Sequence, residues 1–365
     1  MLKREIHVDL YRILATLSVI LLHVLGQGGI LNESAPNSFT YWAAWLLEIF
    51  AYGAVNCFAL ITGYLFLEKK TSIKSILSLW FQVLFYSLLL TVFAFIVFPE
   101  SRSLWNVIRA FLPILTKQWW YISSYFAVFL FIPFLNEAVH NLSKEAIEKF
   151  LIVILIAIGI FDCILRLPLA KDPFYIKEGY SALWLIILYI FGAYIKKYNI
   201  KQIITAKKAF FCFLGLIILT FASKILISVV TSKIFGQIKY SDIFISYISI
   251  TIILASIFLF LFCLNVKINK ITQKIITVFS PYSLGIFLIH VHPLVFSYIL
   301  KNAFVSFAEK PFILMILYVF FTVFAIFLSC AALDFIRIKL FNLFKIKHFC
   351  QFLDEKTRNL CSRFW

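Results

Sequence analysis

The sequence is poor in charge and lacks the motifs that mark many soluble enzymes. Only 14% of its 365 residues are charged, and 17 acidic residues stand against 34 lysines and arginines. The chain has no glycine-rich phosphate loop, no nucleophile-elbow serine and no cysteine and histidine spacing typical of zinc. ATP-driven, serine-hydrolase and metalloenzyme chemistry therefore have no support, and we expect no metal.

The cysteines form no recognisable framework. There are seven of them, none arranged as C-x-x-C; five lie within apolar runs and two in the C-terminal tail. This placement predicts small apolar side chains and free thiols, and it does not favour disulfides or metal ligands.

The sequence is rich in apolar residues. Hydrophobic residues make up 63% of the chain and the mean hydropathy is +0.97, far above the values of soluble domains. Apolar runs long enough to cross a bilayer recur along the chain. We therefore predict an all-α, polytopic membrane bundle of about ten transmembrane helices. The predicted spans are 8–28, 41–67, 75–98, 119–138, 149–167, 180–195, 209–230, 242–265, 276–297 and 311–334.

The basic residues predict the orientation of this bundle. With a cytosolic N-terminus, the inner segments hold 22 lysines and arginines and the outer segments hold nine. The positive-inside rule then places both termini in the cytosol. The net charge of +17 is thus explained by topology and anionic lipid, with no nucleic acid as partner. We expect a multi-pass protein of a bacterial cytoplasmic membrane, with a transmembrane domain at 1–336 and a basic, aromatic cytosolic tail at 337–365.

The first apolar run carries two ionisable residues, Arg12 and His23. Eleven residues of α-helix make about three turns plus 20°, so both side chains lie on one face, about 16 Å apart along the axis. Ionisable residues within a span usually face the bundle interior or a wet cavity. Arg12 alone could snorkel to the interface, and His23 could hydrogen-bond a neighbouring helix. The pair on one face favours a functional role.

Four motifs, in order along the chain, resemble those of the acyltransferase 3 family of integral membrane enzymes. Residues 12–23 are similar to its R-x10-H signature, and 62–64, Thr-Gly-Tyr, to its Ser-Gly-Tyr with threonine replacing serine. Residues 118–121, Gln-Trp-Trp-Tyr, are similar to its Trp-Tyr/Phe opening, and 133–136 to its Pro-x-Leu-Asn close. Residues 282–293, from Tyr-Ser-Leu-Gly to His-Val-His-Pro, resemble the family's ninth span.

The resemblance implies transfer of an acyl group, commonly acetyl from acetyl-CoA, to a hydroxyl of a cell-surface glycan or its lipid-linked sugar precursor. Many members carry arginines after the second span, where this chain has Lys69, Lys70 and Lys74. Lysine attracts phosphate without the bidentate geometry of arginine. Two alternatives stay open: a transporter or flippase of a glycan precursor, and an acyltransferase acting on a small metabolite.

Acyl transfer to a hydroxyl needs a base, donors to a developing oxyanion and cations for the CoA phosphates. His23 is the candidate base, or the residue that takes the acyl group covalently. Depth along the spans separates the other candidates into two layers. The inner layer, expected to hold acetyl-CoA, comprises Arg12, Tyr64, Lys69, Lys70 and Lys74. The outer layer, expected to bind and activate the sugar, comprises the catalytic candidates His23, Glu48 and His290 and the substrate contacts Asn56, Trp120, Tyr121 and Ser283.

Several of these residues also have a structural interpretation. Trp120 and Tyr121 could belong to an interfacial aromatic belt. Glu48 could pair with a helix-packing donor, and His290 could make a structural polar contact. His292 follows His290 by two residues, so the two side chains point apart on a helix and form a poor metal pair.

The remaining polar positions carry structural predictions. Lys224 is predicted to snorkel, and Asp334 and Arg337 to pair at the end of a span. The outer segment 99–118 has the pattern of an amphipathic or re-entrant segment. The basic, aromatic tail is predicted to form a helix resting on the inner leaflet.

Overall fold

The structure, a computed structural model, describes residues 5–69, 72–162, 164, 172 and 174–361. The described residues are 79% helical and contain no strand. Fourteen helices of eight residues or more are found in these ranges. They are α1 (Ile6–Leu25), α2 (Phe39–Ala51), α3 (Ala54–Phe66), α4 (Ile73–Val97), α5 (Leu104–Phe111), α6 (Trp120–Asn141), α7 (Lys144–Ile156), α8 (Ala182–Lys197), α9 (Ala206–Phe235), α10 (Ile250–Asn265), α11 (Lys270–Phe279), α12 (Ser283–His290), α13 (Phe312–Leu343) and α14 (Ile346–Cys361).

Seven segments of the described chain are long and apolar enough to cross a membrane. They are Ile6–Leu25, Phe39–Phe66, Ile73–Val97, Trp120–Asn141, Ala206–Phe235, Lys270–His290 and Phe312–Leu343. The other three predicted spans correspond to the shorter helices α7, α8 and α10, of 13, 16 and 16 residues. A π-helical stretch, Ala157–Asp162, continues α7, and most of 163–167 lies outside the described residues. The helical membrane fold is confirmed, whereas the count of ten and the orientation stay predictions.

Serine, threonine and asparagine set many of the helix starts. In seven helices the residue before the first turn accepts a hydrogen bond, through its side chain, from the N–H three residues later. This bond satisfies an N–H that has no partner within the helix. The seven capping residues are Ser38, Ser72, Ser103, Ser143, Ser181, Thr205 and Asn269.

Helix α1 lies at the centre of the bundle. It packs against α2, α3, α10, α11, α12 and α13. Its Tyr11 is fully buried, donates a hydrogen bond to the carbonyl of Ser256 at 2.7 Å and stacks on Phe260 with ring centroids 4.6 Å apart. Because α1 is surrounded by other helices, Arg12 and His23 face protein and not lipid.

Helices α3 and α8 touch through their backbones. A Cβ on Gly63 would lie 1.9 Å from the carbonyl oxygen of Tyr189, and one on Gly192 would lie 2.1 Å from that of Leu60. Only glycine allows so close an approach, as in other membrane helix pairs with small residues at the contact. Since Thr62 precedes Gly63, the contact also fixes where α3 presents Thr62.

Two buried ionic residues are accommodated in different ways. The prediction that Lys224 snorkels is wrong, because this face of α9 packs against α2 and leaves the side chain 1% exposed. Its Nζ lies 3.4 Å from the ring centroid of Trp45 and donates to Ser241 Oγ at 3.2 Å, and the indole face attracts the cation. The predicted pair of Asp334 and Arg337 is confirmed, with two hydrogen bonds of 3.0 and 2.9 Å.

The segments outside the bundle are helical as predicted. Helix α5 occupies the predicted amphipathic segment and exposes Leu104, Trp105 and Phe111. Helix α14 forms the tail and is tied to the start of α4, where Lys74 Nζ donates to Gln351 Oε1 at 3.0 Å. Helix α13 continues to Leu343, past the boundary expected at residue 336.

Candidate active site

A cavity of about 350 Å³ lies inside the bundle. Its walls come from α1, α3, α4, α6 and α12 and from single tyrosines that precede α8 and α10. Arg12 and His23 both line it, so the prediction that they share one face of α1 is confirmed. At 1.5 Å per residue the cavity follows α1 for about 16 Å, from the level of Arg12 to the level of His23.

At one end of the cavity, Arg12 is paired with a carboxylate. Its Nη1 donates to Asp9 Oδ1 at 2.5 Å and to Ser280 Oγ at 3.4 Å. Sequence reasoning missed Asp9, although the i, i+3 spacing from Arg12 is typical of helical ion pairs. The Arg12 side chain is 29% exposed, and the ion pair holds its guanidinium at the cavity wall.

Lys69 and Lys74, two of the three predicted lysine ligands of acetyl-CoA, flank this end without lining the cavity. Lys69 Nζ lies 5.6 Å from the ring centroid of Phe66, which does line it. Lys74 precedes Ser75, also a lining residue, and points to α14. Lys70 lies outside the described residues. Contacts between these lysines and a cofactor stay predictions.

Tyr64, the remaining inner candidate, belongs to a buried cluster beside the cavity. It is 4% exposed, and the Nζ of Lys196 lies 4.7 Å from its ring centroid. Lys196 also pairs with Glu5 at 3.2 Å. Tyr64 does not line the cavity, so the structure places it among packing contacts of α3, α8 and α10.

At the other end, His23 faces His290. Their ring centroids are 5.3 Å apart, and Phe296 packs edge-on against His23 at 5.0 Å. The Nδ1 of His290 lies 2.6 Å from the carbonyl oxygen of Ile286. His23 Nδ1 and His290 Nε2 are buried and have no hydrogen-bond partner in the described part of the chain. His23 lines the cavity, whereas His290 lies behind it.

His292 points away from His290, and it lies beyond the helix, which ends at His290. Its Nε2 accepts from Gln118 Nε2 at 2.7 Å, and its ring packs edge-on against Trp119 with centroids 5.4 Å apart. Gln118 Oε1 in turn accepts from Ser87 Oγ at 2.7 Å. The glutamine that opens the third motif therefore joins α4 and the start of α6 to the segment after α12, an arrangement that sequence reasoning missed.

Aromatic side chains form one wall of the cavity. Trp120 and Tyr121 line it, together with Tyr180 and Tyr247. The ring centroids of Trp120 and Tyr180 are 4.6 Å apart, and those of Tyr180 and Tyr247 are 5.1 Å apart. Sequence reasoning missed the last two, because they precede their helices and belong to no recognisable motif.

The remaining outer candidates divide between cavity and core. Ser283 lines the cavity, and its buried Oγ has no partner among the residues described. Asn56 is fully buried; its Nδ2 donates to the carbonyl of Tyr247 at 2.8 Å and its Oδ1 accepts from Trp184 at 3.1 Å. Its amide thus holds the segment that carries Tyr247. Glu48 is 8% exposed and does not line the cavity. Direct substrate contact by Asn56 and catalysis by Glu48 stay predictions.

A family described as an acyltransferase domain, acyltransferase 3, matches residues 6–334. The chain belongs to the acyltransferase 3 family. The match includes all four motifs and every residue that lines the cavity, and it leaves α14 outside. No curated protein and no solved structure matches the chain significantly. The chain is therefore a membrane acyltransferase.

The structure gives a physical reason for the glycine in the last of these motifs. A Cβ on Gly285 would lie 2.0 Å from Asp334 Oδ1. The same oxygen accepts from Tyr86 Oη at 2.6 Å, and the carboxylate is fully buried. Gly285 therefore admits the Asp334 carboxylate against α12, two residues from Ser283 in the cavity wall.

Proposed function

We propose that this membrane acyltransferase moves an acetyl or other short acyl group from acyl-CoA to a hydroxyl of a cell-surface glycan or its lipid-linked precursor. The acceptors that fit this proposal are exopolysaccharide, capsule, lipopolysaccharide and lipid-linked sugars at a bacterial cytoplasmic membrane. The observation that carries it is a single cavity lined by both Arg12 and His23. A cation for phosphate at one end and a base for a hydroxyl at the other meet two needs of the reaction.

In this proposal the Arg12 end takes the donor. A cavity of about 350 Å³ is at the lower end of the range for small-ligand sites. It suits an acyl-pantetheine arm and part of a sugar, and it is too small for the whole of CoA. The nucleotide would stay at the entrance, where Lys69 and Lys74 are close in sequence to the lining residues Phe66 and Ser75. The positive-inside rule puts this end towards the cytosol, which supplies acyl-CoA.

The His23 end would carry the chemistry. His23 takes the proton of the acceptor hydroxyl as its oxygen attacks the thioester carbonyl. The tetrahedral intermediate then expels the CoA thiolate, which recovers the proton from His23. Ser283 is our candidate oxyanion donor, because its hydroxyl lines the cavity and has no partner in the described structure. Direct transfer requires the fewest steps. In the alternative, His23 first displaces the CoA thiolate to form an acyl-His23, and the acceptor hydroxyl then displaces His23 while its proton goes to the thiolate.

The aromatic wall would hold the acceptor. Sugars present flat C–H faces that pack on aromatic rings, and amphipathic tyrosines also offer a hydroxyl for hydrogen bonding. Trp120, Tyr180 and Tyr247 follow one another at ring separations of 4.6 and 5.1 Å. This arrangement supports Trp120 as a stacking surface and adds Tyr180 and Tyr247 to the candidate substrate contacts.

The proposal is tested by glycan mass spectrometry of cells with and without the protein. We expect acyl mass units to disappear in the deletion and to return with the wild-type chain. They should also return with His348→Ala, a control on the exposed face of α14, and fail to return with His23→Ala. Unchanged acylation together with accumulated lipid-linked precursor would overturn the proposal in favour of transport.

The donor assignment has its own test. Photocrosslinking with labelled acetyl-CoA should weaken in Arg12→Ala and weaken further when Lys69, Lys70 and Lys74 are also replaced. His348→Ala again serves as the control. Unchanged crosslinking in the fourfold variant would contradict the assignment of this end of the cavity to the donor.

A further inference from the structure

The hydrogen bond of His290 defines which of its nitrogens carries the proton. Nδ1 lies 2.6 Å from the carbonyl oxygen of Ile286. A carbonyl oxygen accepts hydrogen bonds and donates none, so Nδ1 is the protonated nitrogen. In a neutral imidazole the other nitrogen, Nε2, then holds a lone pair and acts as an acceptor.

This acceptor faces His23. The two ring centroids are 5.3 Å apart with 50° between the ring planes. His290 Nε2 and His23 Nδ1 are both buried, and neither has a partner among the residues that the structure describes. Buried polar groups are nearly always hydrogen-bonded. A proton on His23 Nδ1, donated to His290 Nε2, satisfies both atoms, and catalytic hydrogen bonds often shorten when substrate binds.

A bond from His23 Nδ1 to His290 would determine which nitrogen of His23 is left for the substrate. His23 lines the cavity, and its Nδ1 is buried in the protein. With the proton on Nδ1, the lone pair is on Nε2, which is the nitrogen left for the acceptor hydroxyl. When Nε2 takes the hydroxyl proton, the bond from Nδ1 to His290 stabilises the imidazolium, as the third member of a catalytic triad does for its histidine.

We propose that His290 is a positioning residue that accepts a hydrogen bond from His23 Nδ1 and thereby fixes the tautomer in which His23 Nε2 acts as the base. The inference rests on the proposed role of His23 in acyl transfer. It replaces a direct catalytic role for His290, which lies behind the cavity wall. One chain of hydrogen bonds then runs from the acceptor hydroxyl through His23 and His290 to the carbonyl of Ile286.

Two amide variants separate this role from a structural one. In His290→Asn the amide occupies the position of Nδ1; it can bond Ile286 but falls short of His23. In His290→Gln the longer side chain puts an amide oxygen near the position of Nε2, where it can accept from His23. We expect His290→Gln to keep kcat within about tenfold of wild type and His290→Asn to lose about 100-fold, a typical contribution of a correctly placed base. The KM for acetyl-CoA should stay unchanged in both.

The measurement is steady-state acyl transfer by purified protein, with thermal unfolding of each variant as a check on folding. A merely structural role predicts the reverse order, since His290→Asn preserves the bond to Ile286. Any result in which folded His290→Asn is at least as active as His290→Gln overturns the inference. The variant His23→Ala distinguishes a failure of the proposed role of His23 from a failure of the positioning role of His290. If His23→Ala is fully active, the role of His23 itself is wrong. If it is inactive while His290→Asn matches wild type, only the positioning role is wrong.

Discussion

Gly63→Ala is expected to force α3 and α8 apart. The added Cβ would lie 1.9 Å from Tyr189 O, 2.8 Å from the carbonyl carbon and 2.9 Å from Ala193 N. All three atoms belong to the backbone of α8, so no side-chain rotation relieves the contact. Reaching an ordinary separation of about 3.4 Å requires the helices to move by roughly 1.5 Å at this point.

The cost follows from general measurements of overpacking. Inserting a methyl group into a packed interior costs about 1–3 kcal/mol, and contact with backbone atoms places Gly63→Ala near the upper value. Replacing glycine by alanine within a helix returns about 0.5–1 kcal/mol. We therefore expect a net loss of about 2 kcal/mol, which for a chain of 365 residues corresponds to a fall in Tm of about 3 °C.

Gly215→Ala is the matched control. Gly215 lies in α9, and a Cβ there meets nothing within 4 Å, so only the helix-propensity gain applies. Both variants are compared with wild type by thermal unfolding in one detergent. Equal or higher Tm in Gly63→Ala relative to Gly215→Ala would refute the backbone contact. Acyl transfer should fall in Gly63→Ala as well, because α3 also presents Thr62 to the cavity.

Three further predictions address single side chains. Lys224→Met should keep or raise Tm, because it removes a buried charge while an apolar chain still covers Trp45; a large fall would show that the cation itself stabilises the fold. Asp334→Asn should destabilise the protein by about 3 kcal/mol, since it leaves Arg337 facing a neutral amide, and an unchanged Tm would contradict this. Ser283→Ala should lower kcat about 100-fold, as expected for an oxyanion donor, with Tm unchanged; steady-state kinetics that match wild type would remove Ser283 from the mechanism.

The parts of the site that sequence could predict are those set by local helix geometry. The shared face of Arg12 and His23 follows from the helical repeat alone. The pairing of Asp334 and Arg337 follows from an i, i+3 separation. Each of these relations lies within a few turns of one helix or within one short segment.

What sequence could not predict depends on which helix faces which. Lys224 looked like a snorkelling residue because nothing along α9 reveals that Trp45 of α2 covers its ammonium group. The hydrogen bonds of the Asn56 amide to Tyr247 and Trp184 join three separate segments, and no sequence pattern indicates them. Tyr247 itself enters the cavity wall from a segment without motif or periodicity. Contacts between segments that are distant along the chain leave no local pattern in the sequence.

Two of the predicted spans correspond to helices shorter than 18 residues. The run at 180–195 predicts a short span, and α8 has the same length of 16 residues. The run at 242–265 predicts a full span, whereas α10 has 16 residues. Ser181 caps the start of α8, and the chain before Ser249 forms turns that bring Tyr247 to the cavity. Hydropathy identifies an apolar segment but does not indicate the residue at which its helix begins.

The most direct test of the central claim, that one cavity connects the donor and acceptor ends, is acyl transfer by Val19→Trp. Val19 lines the cavity between Arg12 and His23, so an indole there obstructs a space of only about 350 Å³. Val92→Trp, on a face of α4 that is 55% exposed, is the matched control. We predict that purified Val19→Trp, with a Tm close to wild type, loses transfer of labelled acetyl from acetyl-CoA, whereas Val92→Trp retains it. Wild-type transfer by folded Val19→Trp would contradict the account.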